Sequence, residues 1–404
     1  MNNPNPNSLL TKATLLLVST LTVMSGATIA PSLPAMQLQF SALPHVDLWV
    51  RLVLTIPALL IVVGSPFAGM IVDRLGRKPL LIGALLLYGL AGGSGLVLNS
   101  LFSILLGRAF LGLAVAGIMV SATTLIADYY IGAARATFMG LQTAFMGLGG
   151  VLFLSVGGVL ADLNWRFPFL IYLLAWLLLP MAIAALYEPP RQAVSPSLAP
   201  SHTVSQPEQQ ATPPALPINL LVFVLGAALM TQIIFYLIPV QLPFYLGNLT
   251  RANATQSGLA IAFCVLFSAV SSMVYGRLKQ RLEFIQILIL SFALLGVGYV
   301  GIGLAHDYAQ VLASLIPTGL GLGVLMPNLN VWVASAVPDV LRGRALAGVT
   351  SFFFLGQFLS PIVSQPIAQH LGLAATYSLA GGLLMILAAL FLLTQQQLNR
   401  LIVP

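Results

Sequence analysis

Two groups of charged residues in this chain could do chemistry. The first lies in the stretch Gly69-Met70-Ile71-Val72-Asp73-Arg74-Leu75-Gly76-Arg77-Lys78-Pro79. Arg77 carries a planar guanidinium that can fork onto a carboxylate, and Asp128 is its natural partner. Asp73 is placed to cap or face a helix N-terminus, where the dipole favours an anion. Gly69 and Gly76 allow close helix approach and a tight turn. The second group is one residue, Arg108, inside the apolar run Leu106 to Gly117. A lone cation at membrane depth costs about 2.5–3.5 kcal/mol on insertion scales. A chain that keeps it is expected to aim it at a bundle interior or a wet cavity; the alternative is that it snorkels to the near interface. The acids are Asp47, Asp73, Asp128, Asp162, Glu188, Glu208, Glu283, Asp307 and Asp339. All of them fall at the ends of apolar runs or between them, so no carboxylate is expected at mid-membrane. No phosphate-binding loop, zinc-ligand spacing or nucleophile elbow occurs. The expectation is therefore neither an enzyme nor a primary pump, with no cofactor and no metal. The single cysteine, Cys264, excludes an internal disulfide and reads as a small packing residue.

The elements that hold these residues follow from composition. The chain has 404 residues, 59% hydrophobic and only 6% charged. A soluble domain carries about 25% charged residues, so this is an integral membrane protein. Apolar length places twelve spans at about 12–32, 48–72, 79–98, 101–126, 136–160, 166–187, 217–241, 255–276, 284–304, 309–335, 344–367 and 372–396. An all-helical bundle follows, because in lipid each backbone polar group must be satisfied within its own segment. The first run, Ala13 to Ala30, reads as a retained span rather than a cleaved signal. With the N-terminus inside, the cytoplasmic segments hold Lys12, Arg74, Arg77, Lys78, Arg135, Arg191, Arg277, Lys279, Arg281, Arg342, Arg344 and Arg400. The outer segments hold Arg51, Arg166 and Arg251. That imbalance sets the orientation and leaves both termini cytoplasmic. The excess of cations is thus topogenic, and no nucleic acid is expected as a partner. Between Glu188 and Pro217 proline, serine and glutamine dominate, which reads as a flexible linker. The expected organisation is a six-helix bundle over 1–187, a cytoplasmic linker over 188–216 and a second six-helix bundle over 217–404.

The pattern G-x-x-x-D-R-x-G-R-K resembles the signature loop of the major facilitator superfamily, between its second and third spans. The halves also repeat. Gly276-Arg277-Leu278-Lys279-Gln280-Arg281 is a worn copy of the signature loop, and Asp128 with Arg135 is echoed by Asp339 with Arg342 and Arg344. Gly147 and Gly356 sit at matching depth. A six-plus-six parallel repeat with a long central loop again resembles that superfamily, over essentially the whole chain. The resemblance implies two bundles rocking about a midplane site. It also implies an inner latch, formed by Gly69, Asp73, Arg74, Gly76, Arg77, Asp128 and Arg135, that holds the halves together when the cytoplasmic side is closed. The segment around Arg108 resembles the R-x-x-x-G-x-x-x-G element, which in proton-coupled exporters is implicated in proton transfer; Arg108 is the proton-coupling candidate. The fifth span departs from the pattern. Family exporters carry G-x-x-x-G-P-x-x-G-G, whereas Gly149 to Gly158 reads Gly-Gly-Val-Leu-Phe-Leu-Ser-Val-Gly-Gly, with Phe153 and Leu154 in place of the central glycine and proline.

A substrate site needs a few polar or aromatic groups among apolar walls. The candidates are Met24, Ser25 and Thr28 in the first span, Gln142, Phe145 and Met146 in the fifth, and Gln232 and Tyr236, with Phe235 and Gln241, in the seventh. The tenth adds Asn328 and Asn330, the eleventh Phe353 and Gln357. Pro239 and Pro243 in the seventh span, and Pro317 and Pro327 in the tenth, are expected to loosen their helices. As a set these residues describe an apolar, aromatic, methionine-bearing cavity without a fixed anionic site. The expectation is a secondary transporter in a bacterial plasma membrane, resembling 12-span efflux members. It would work as a monomer by alternating access and export small lipophilic compounds, with protons as the candidate coupling ion. The alternatives are a sugar or metabolite permease of the same fold, since the amides could bond hydroxyls, and a non-transporting sensor or scaffold. Asn248 and Asn253 match glycosylation acceptors, but the short loops and lean termini have a bacterial character.

Overall fold

The structure is a computed structural model that describes residues 6–189 and 217–396. The linker expected over 188–216 lies outside the described residues, apart from Glu188 and Pro189, as do Arg191 and Arg400. The described residues form twelve helices long and apolar enough to cross a membrane and contain no strand. The spans are Leu9–Gln39, Val46–Leu75, Arg77–Leu96, Leu101–Tyr129, Gly132–Leu163 and Phe167–Ala185 in the first half. Ile218–Thr250, Ala254–Lys279, Phe284–Leu304, Tyr308–Ala336, Asp339–Leu371 and Leu373–Leu393 make up the second. Several run past the apolar stretch read from sequence. The eleventh, for example, begins at Asp339 rather than near 344, because a helix goes on pairing its backbone beyond the hydrocarbon edge.

The two halves use one packing plan. The second span lies against the fourth, the third against the fourth and the sixth, and the first against the fifth. Shifting each number by six gives eighth on tenth, ninth on tenth and twelfth, and seventh on eleventh, and all of these packings are present. The halves meet through fifth on eighth and second on eleventh, which are again equivalents of one another. Close approach without a hydrophobic drive needs small residues. At the fifth–eighth crossing, a Cβ on Gly158 would lie 2.8 Å from the carbonyl oxygen of Ala254, and one on Gly258 would lie 2.7 Å from that of Leu154. Neither position admits a side chain without moving the two halves.

Two spans in equivalent places are broken. The first stops as a regular helix at Ala27, passes through a tight turn at Ala30–Ser32 that holds Pro31, and restarts at Leu33 with Pro34. The seventh stops at Phe235 and restarts at Leu237. Pro239 then falls in the opening turn of the new helix, where no intrahelical N–H is needed. The tenth span, by contrast, runs unbroken through Pro317 and Pro327. Carbonyls released by a break must find other donors. Two tyrosines reach the backbone of these spans: Tyr299 of the ninth span donates to the Ile234 carbonyl, in the last turn before the seventh-span break, at 2.7 Å, and Tyr88 of the third adds a second bond to the Leu21 carbonyl, inside the first helix, at 2.7 Å. Ser360 adds a bond to Ile233 at 2.7 Å, and Tyr377 one to Leu237 at 2.9 Å.

One end of the bundle carries Arg74, Arg77, Lys78, Arg277, Lys279 and Arg281 and is here termed the basic end. Hydrogen bonds joining the halves cluster at the opposite end. There Asp162 accepts the backbone N–H groups of Ala254 at 2.7 Å and Thr255 at 3.0 Å, and so sits on the start of the eighth span. At the basic end the fifth span and its lead-in are exposed over 131–137 and 139–141, and the eleventh span is exposed at Gly343 and Arg344. The molecule is closed at the opposite end and parted at the basic end. Tyr299→Phe leaves the Ile234 carbonyl at the break without this donor, Tyr88→Phe removes the second bond to the Leu21 carbonyl, and each is expected to cost about 1 kcal/mol. Thermal unfolding of the purified variants checks this, and a Tm equal to that of the unmodified protein in both would remove the tyrosines from the account.

Candidate functional site

A cavity of about 290 Å³ lies where the two broken spans face each other. Met24, Ser25, Gly26, Ala27 and Thr28 form one wall, and Phe235, Tyr236 and Pro239 the other. The approach is close: a Cβ on Gly26 would lie 2.6 Å from the Tyr236 hydroxyl oxygen. Met119, Met146, Phe153, Phe353 and Gln357 complete much of the lining, and none of the lining residues is charged. Phe153 and Leu154, the two residues that depart from the exporter pattern, both line it. Bulk placed where that pattern has glycine and proline therefore narrows and greases the cavity rather than bending the fifth span, which is one continuous helix.

The polar groups on this lining are few. Ser25 donates to the Thr22 carbonyl at 2.9 Å, and Thr28 donates to Met24 at 2.7 Å, so their hydroxyl protons are spent within their own helix. The Tyr236 hydroxyl and the Gln357 amide have no protein partner among the described residues and remain available. Of the other substrate candidates, Phe145 packs against the core. Gln142 lies outside the cavity and donates to the Ser19 hydroxyl at 2.8 Å. Asn328 is fully buried and donates to the Phe284 carbonyl at 2.9 Å. Gln232 is buried with both amide atoms unpartnered among the described residues, one turn before Tyr236 but off the lining. Asn330 is exposed on the tenth span, and Gln241 lies at the closed end. The structure thus brings Met24, Ser25, Thr28, Met146, Tyr236, Phe353 and Gln357 together. Met119, Phe354 and Gly26 join them without having been singled out by type, because only the fold says which face of an apolar helix turns inward.

Arg108 stands behind the cavity wall with 1% of its surface exposed. It does not snorkel. Its Nε donates to the Val53 carbonyl at 2.9 Å, and its Nη2 donates to the Ser25 carbonyl. Both acceptors are free for a local reason. Pro57, four residues after Val53 in the second span, has no N–H to give it, and Ser25 lies in the last turn before the break in the first span. The guanidinium also faces the Tyr172 ring, 5.1 Å from its centroid. Nη1 is buried and has no partner among the described residues.

At the basic end, Arg77 Nε meets Asp128 Oδ2 at 2.9 Å, which joins the third and fourth spans within the first half. Glu188 takes the place expected of Asp73. Its carboxylate accepts the N–H groups of Arg77 at 2.8 Å and Lys78 at 2.7 Å, the first turn of the third span. Asp73 is exposed in the last turn of the second span, a helix C-terminus. Gly76 adopts φ +104°, which lets the chain turn between the two helices. Arg135 bonds the Tyr130 carbonyl at 2.9 Å and the Ala127 carbonyl at 2.5 Å, closing the next loop on itself. Burial, with the neighbouring Tyr187, holds the Tyr130 phenol above its ordinary range, so it stays a neutral donor to Pro6.

Arg108→Met strands the Val53 and Ser25 carbonyls, and a loss of about 3 kcal/mol is expected from two unpaired buried acceptors. Adding Pro57→Ala restores an N–H to Val53 and is expected to return about 1 kcal/mol. Unfolding midpoints of the single and double variants test this; no rescue by Pro57→Ala would mean that the Val53 carbonyl is satisfied in another way.

The family model described as Major Facilitator Superfamily matches residues 15–252 and 224–400. The bacillibactin exporter of Bacillus subtilis (strain 168) is 25% identical over 361 residues, covering 84% of this chain and 85% of that protein. The quinolone resistance protein NorA of Staphylococcus aureus (strain COL) is 24% identical, covering 74% and 76%. The multidrug resistance protein MdtG of Escherichia fergusonii is 32% identical over a shorter stretch, 42% of each chain. Among solved structures, a D-xylose-proton symporter superposes with a TM-score of 0.79 at 16% identity over 98% of both chains. A bacterial homologue of the human lysosomal transporter Spinster gives 0.74 at 17%, also over 98% of both; at such identities the likeness speaks for the fold. With the signature loop, the six-plus-six repeat and a cavity between paired broken helices, this chain belongs to the Major Facilitator Superfamily of membrane transporters.

Proposed function

We propose that this transporter exports small, lipophilic, uncharged or weakly polar compounds from a bacterial cytoplasm. The observation that carries this reading is the lining of the central cavity: methionine and phenylalanine walls, two available hydrogen-bonding groups and no fixed charge. A pocket of this kind gains most from burying apolar surface and can orient a ligand through one or two polar contacts. Methionine and aromatic walls adapt to ligands of different shape. The export direction draws support from relatives named for efflux and resistance. In this reading Met24, Ser25, Thr28, Met146, Tyr236, Phe353 and Gln357 contact the substrate, and Gln142, Phe145, Gln232 and Asn328 stand behind them.

The basic end is read as cytoplasmic, on the positive-inside bias, in the plasma membrane, with both termini inside. The state described is then open inward. Gly69, Asp73, Arg74, Gly76, Arg77, Asp128 and Arg135 are the surface that meets the second half when the inner side closes. For the coupling ion we infer the proton, and Arg108 is the coupling group. A guanidinium does not release its proton. Its part is to hold a protonatable group or water against Nη1, beside Ser25 of the cavity wall. The transporter acts as a monomer, since one chain supplies both halves of the site. A metabolite permease is the second reading, favoured by the free Tyr236 hydroxyl and Gln357 amide.

Two measurements test this. Tyr236→Phe and Gln357→Ala are each expected to weaken binding of lipophilic drugs about fivefold, the worth of one hydrogen bond, in fluorescence titrations where sugars do not bind. Saturable sugar binding without drug binding would favour the permease. In proteoliposomes holding a pH dye, drug addition is expected to drive proton movement, and Arg108→Ala to abolish it with drug binding retained. Drug flux without proton movement would overturn the coupling.

A further inference from the structure

At the closed end, four side chains from three spans make a circuit of hydrogen bonds between the halves. Asp47 and Arg51 stand one turn apart at the start of the second span. Arg51 Nε donates to Gln241 Oε1 of the seventh span at 2.8 Å. Gln241 Nε2 donates to Gln365 Oε1 of the eleventh at 3.0 Å. Gln365 Nε2 donates to Asp47 Oδ2 at 2.9 Å, and Gln369 Nε2 donates to the same oxygen. Arg51 Nη1 returns to the Asp47 carbonyl at 2.6 Å. Arg51, Gln241 and Gln365 are 4%, 0% and 5% exposed, so water competes little for these bonds. The Arg51 guanidinium also lies 3.9 Å from the centroid of the Phe244 ring, on the second half.

The amides have no choice of orientation. The cation requires the oxygen of Gln241, the anion requires the nitrogen of Gln365, and the remaining nitrogen and oxygen then face each other as donor and acceptor. The charges that polarise this circuit both belong to the first half, and their partners across the interface are neutral. When the halves part, Asp47 and Arg51 stay one turn apart and can pair with each other, while the glutamines are left with water. No lone charge is stranded in the second half, which is the usual penalty for breaking a buried ion pair.

We propose that Asp47, Arg51, Gln241, Gln365 and Gln369 form the outer gate: positioning residues that set the balance between the two alternating states. The proposal rests on the exchange of two states and not on the substrate, so it is tested without one. Full-length protein in lipid nanodiscs, in a Cys264→Ser background, carries spin labels at Asn99→Cys and His306→Cys for the closed end. A second sample carries them at Ala134→Cys and Gln280→Cys for the basic end. Gln365→Glu sets a carboxylate against Asp47 and is expected to favour opening of the closed end about tenfold, equivalent to about 1.4 kcal/mol. Gln369→Lys places a cation opposite Asp47 and is expected to shift the balance the other way. Asp47→Asn added to Gln365→Glu is expected to restore the original distances, a rescue that mere loss of packing would not give. Distances unchanged in both single variants, or shifted in the same direction by both, would overturn the gate.

Discussion

The constraint on which this structure depends is that backbone carbonyls in a membrane must find donors. The first and seventh spans break near their middles, and each break frees carbonyls that a continuous helix would use. The fold answers with side chains from neighbouring spans. Tyr299 and Ser360 serve Ile234 and Ile233 beside the seventh-span break, Tyr377 serves Leu237 where that span restarts, and Tyr88 braces the first span at Leu21. In the first half Arg108 takes two at once, that of Ser25 in the last turn before the break and that of Val53, which Pro57 leaves without a donor. These bonds fix irregular backbone at the point where the two halves meet, and that is where a cavity can form without leaving polar groups bare.

The cavity inherits its chemistry from this arrangement. Hydroxyls that a reader of the sequence would offer to a substrate, those of Ser25 and Thr28, are consumed by their own helix. The Tyr236 hydroxyl and the Gln357 amide stay available because they project from the second half, where the seventh span restarts and the eleventh passes by. The one cation nearby is turned away from the lining and spent on carbonyls. What faces the cavity is therefore apolar surface with two neutral hydrogen-bonding groups and no fixed charge.

The two ends of the molecule are held by different physics. At the basic end Arg77 pairs with Asp128, Glu188 with the opening turn of the third span, and Arg342 with Asp339, each within its own half. At the opposite end the charged groups reach across, Asp162 onto the start of the eighth span and Asp47 and Arg51 onto glutamines of the seventh and eleventh. A molecule so arranged is shut where its halves share bonds and parted where each half satisfies itself. Gly158 and Gly258 support the closed end by letting the fifth and eighth spans touch backbone to backbone.

The amino-acid sequence by itself determined the membrane class, the twelve spans and the six-plus-six repeat. Apolar length, the distribution of cations and the two copies of the charged loop are local properties, and the helix is the one regular structure that satisfies a spanning backbone within its own segment. It also marked Arg108 and the seventh-span prolines as unusual. Only the tertiary structure decided what they do. The break in the seventh span falls at Tyr236, before Pro239, and the tenth span keeps its course through two prolines, because neighbours settle whether a freed carbonyl bends a helix or finds a donor. Glu188, not Asp73, caps the third span, because the sixth span returns beside it; sequence proximity pointed to the wrong acid. The closed-end network of Asp47, Arg51, Gln241, Gln365 and Gln369 joins residues more than three hundred positions apart. No local pattern encodes such a meeting, since it depends on how the second and eleventh spans cross. Type and spacing fix what a helix is, and the face it turns inward is fixed by the helices around it.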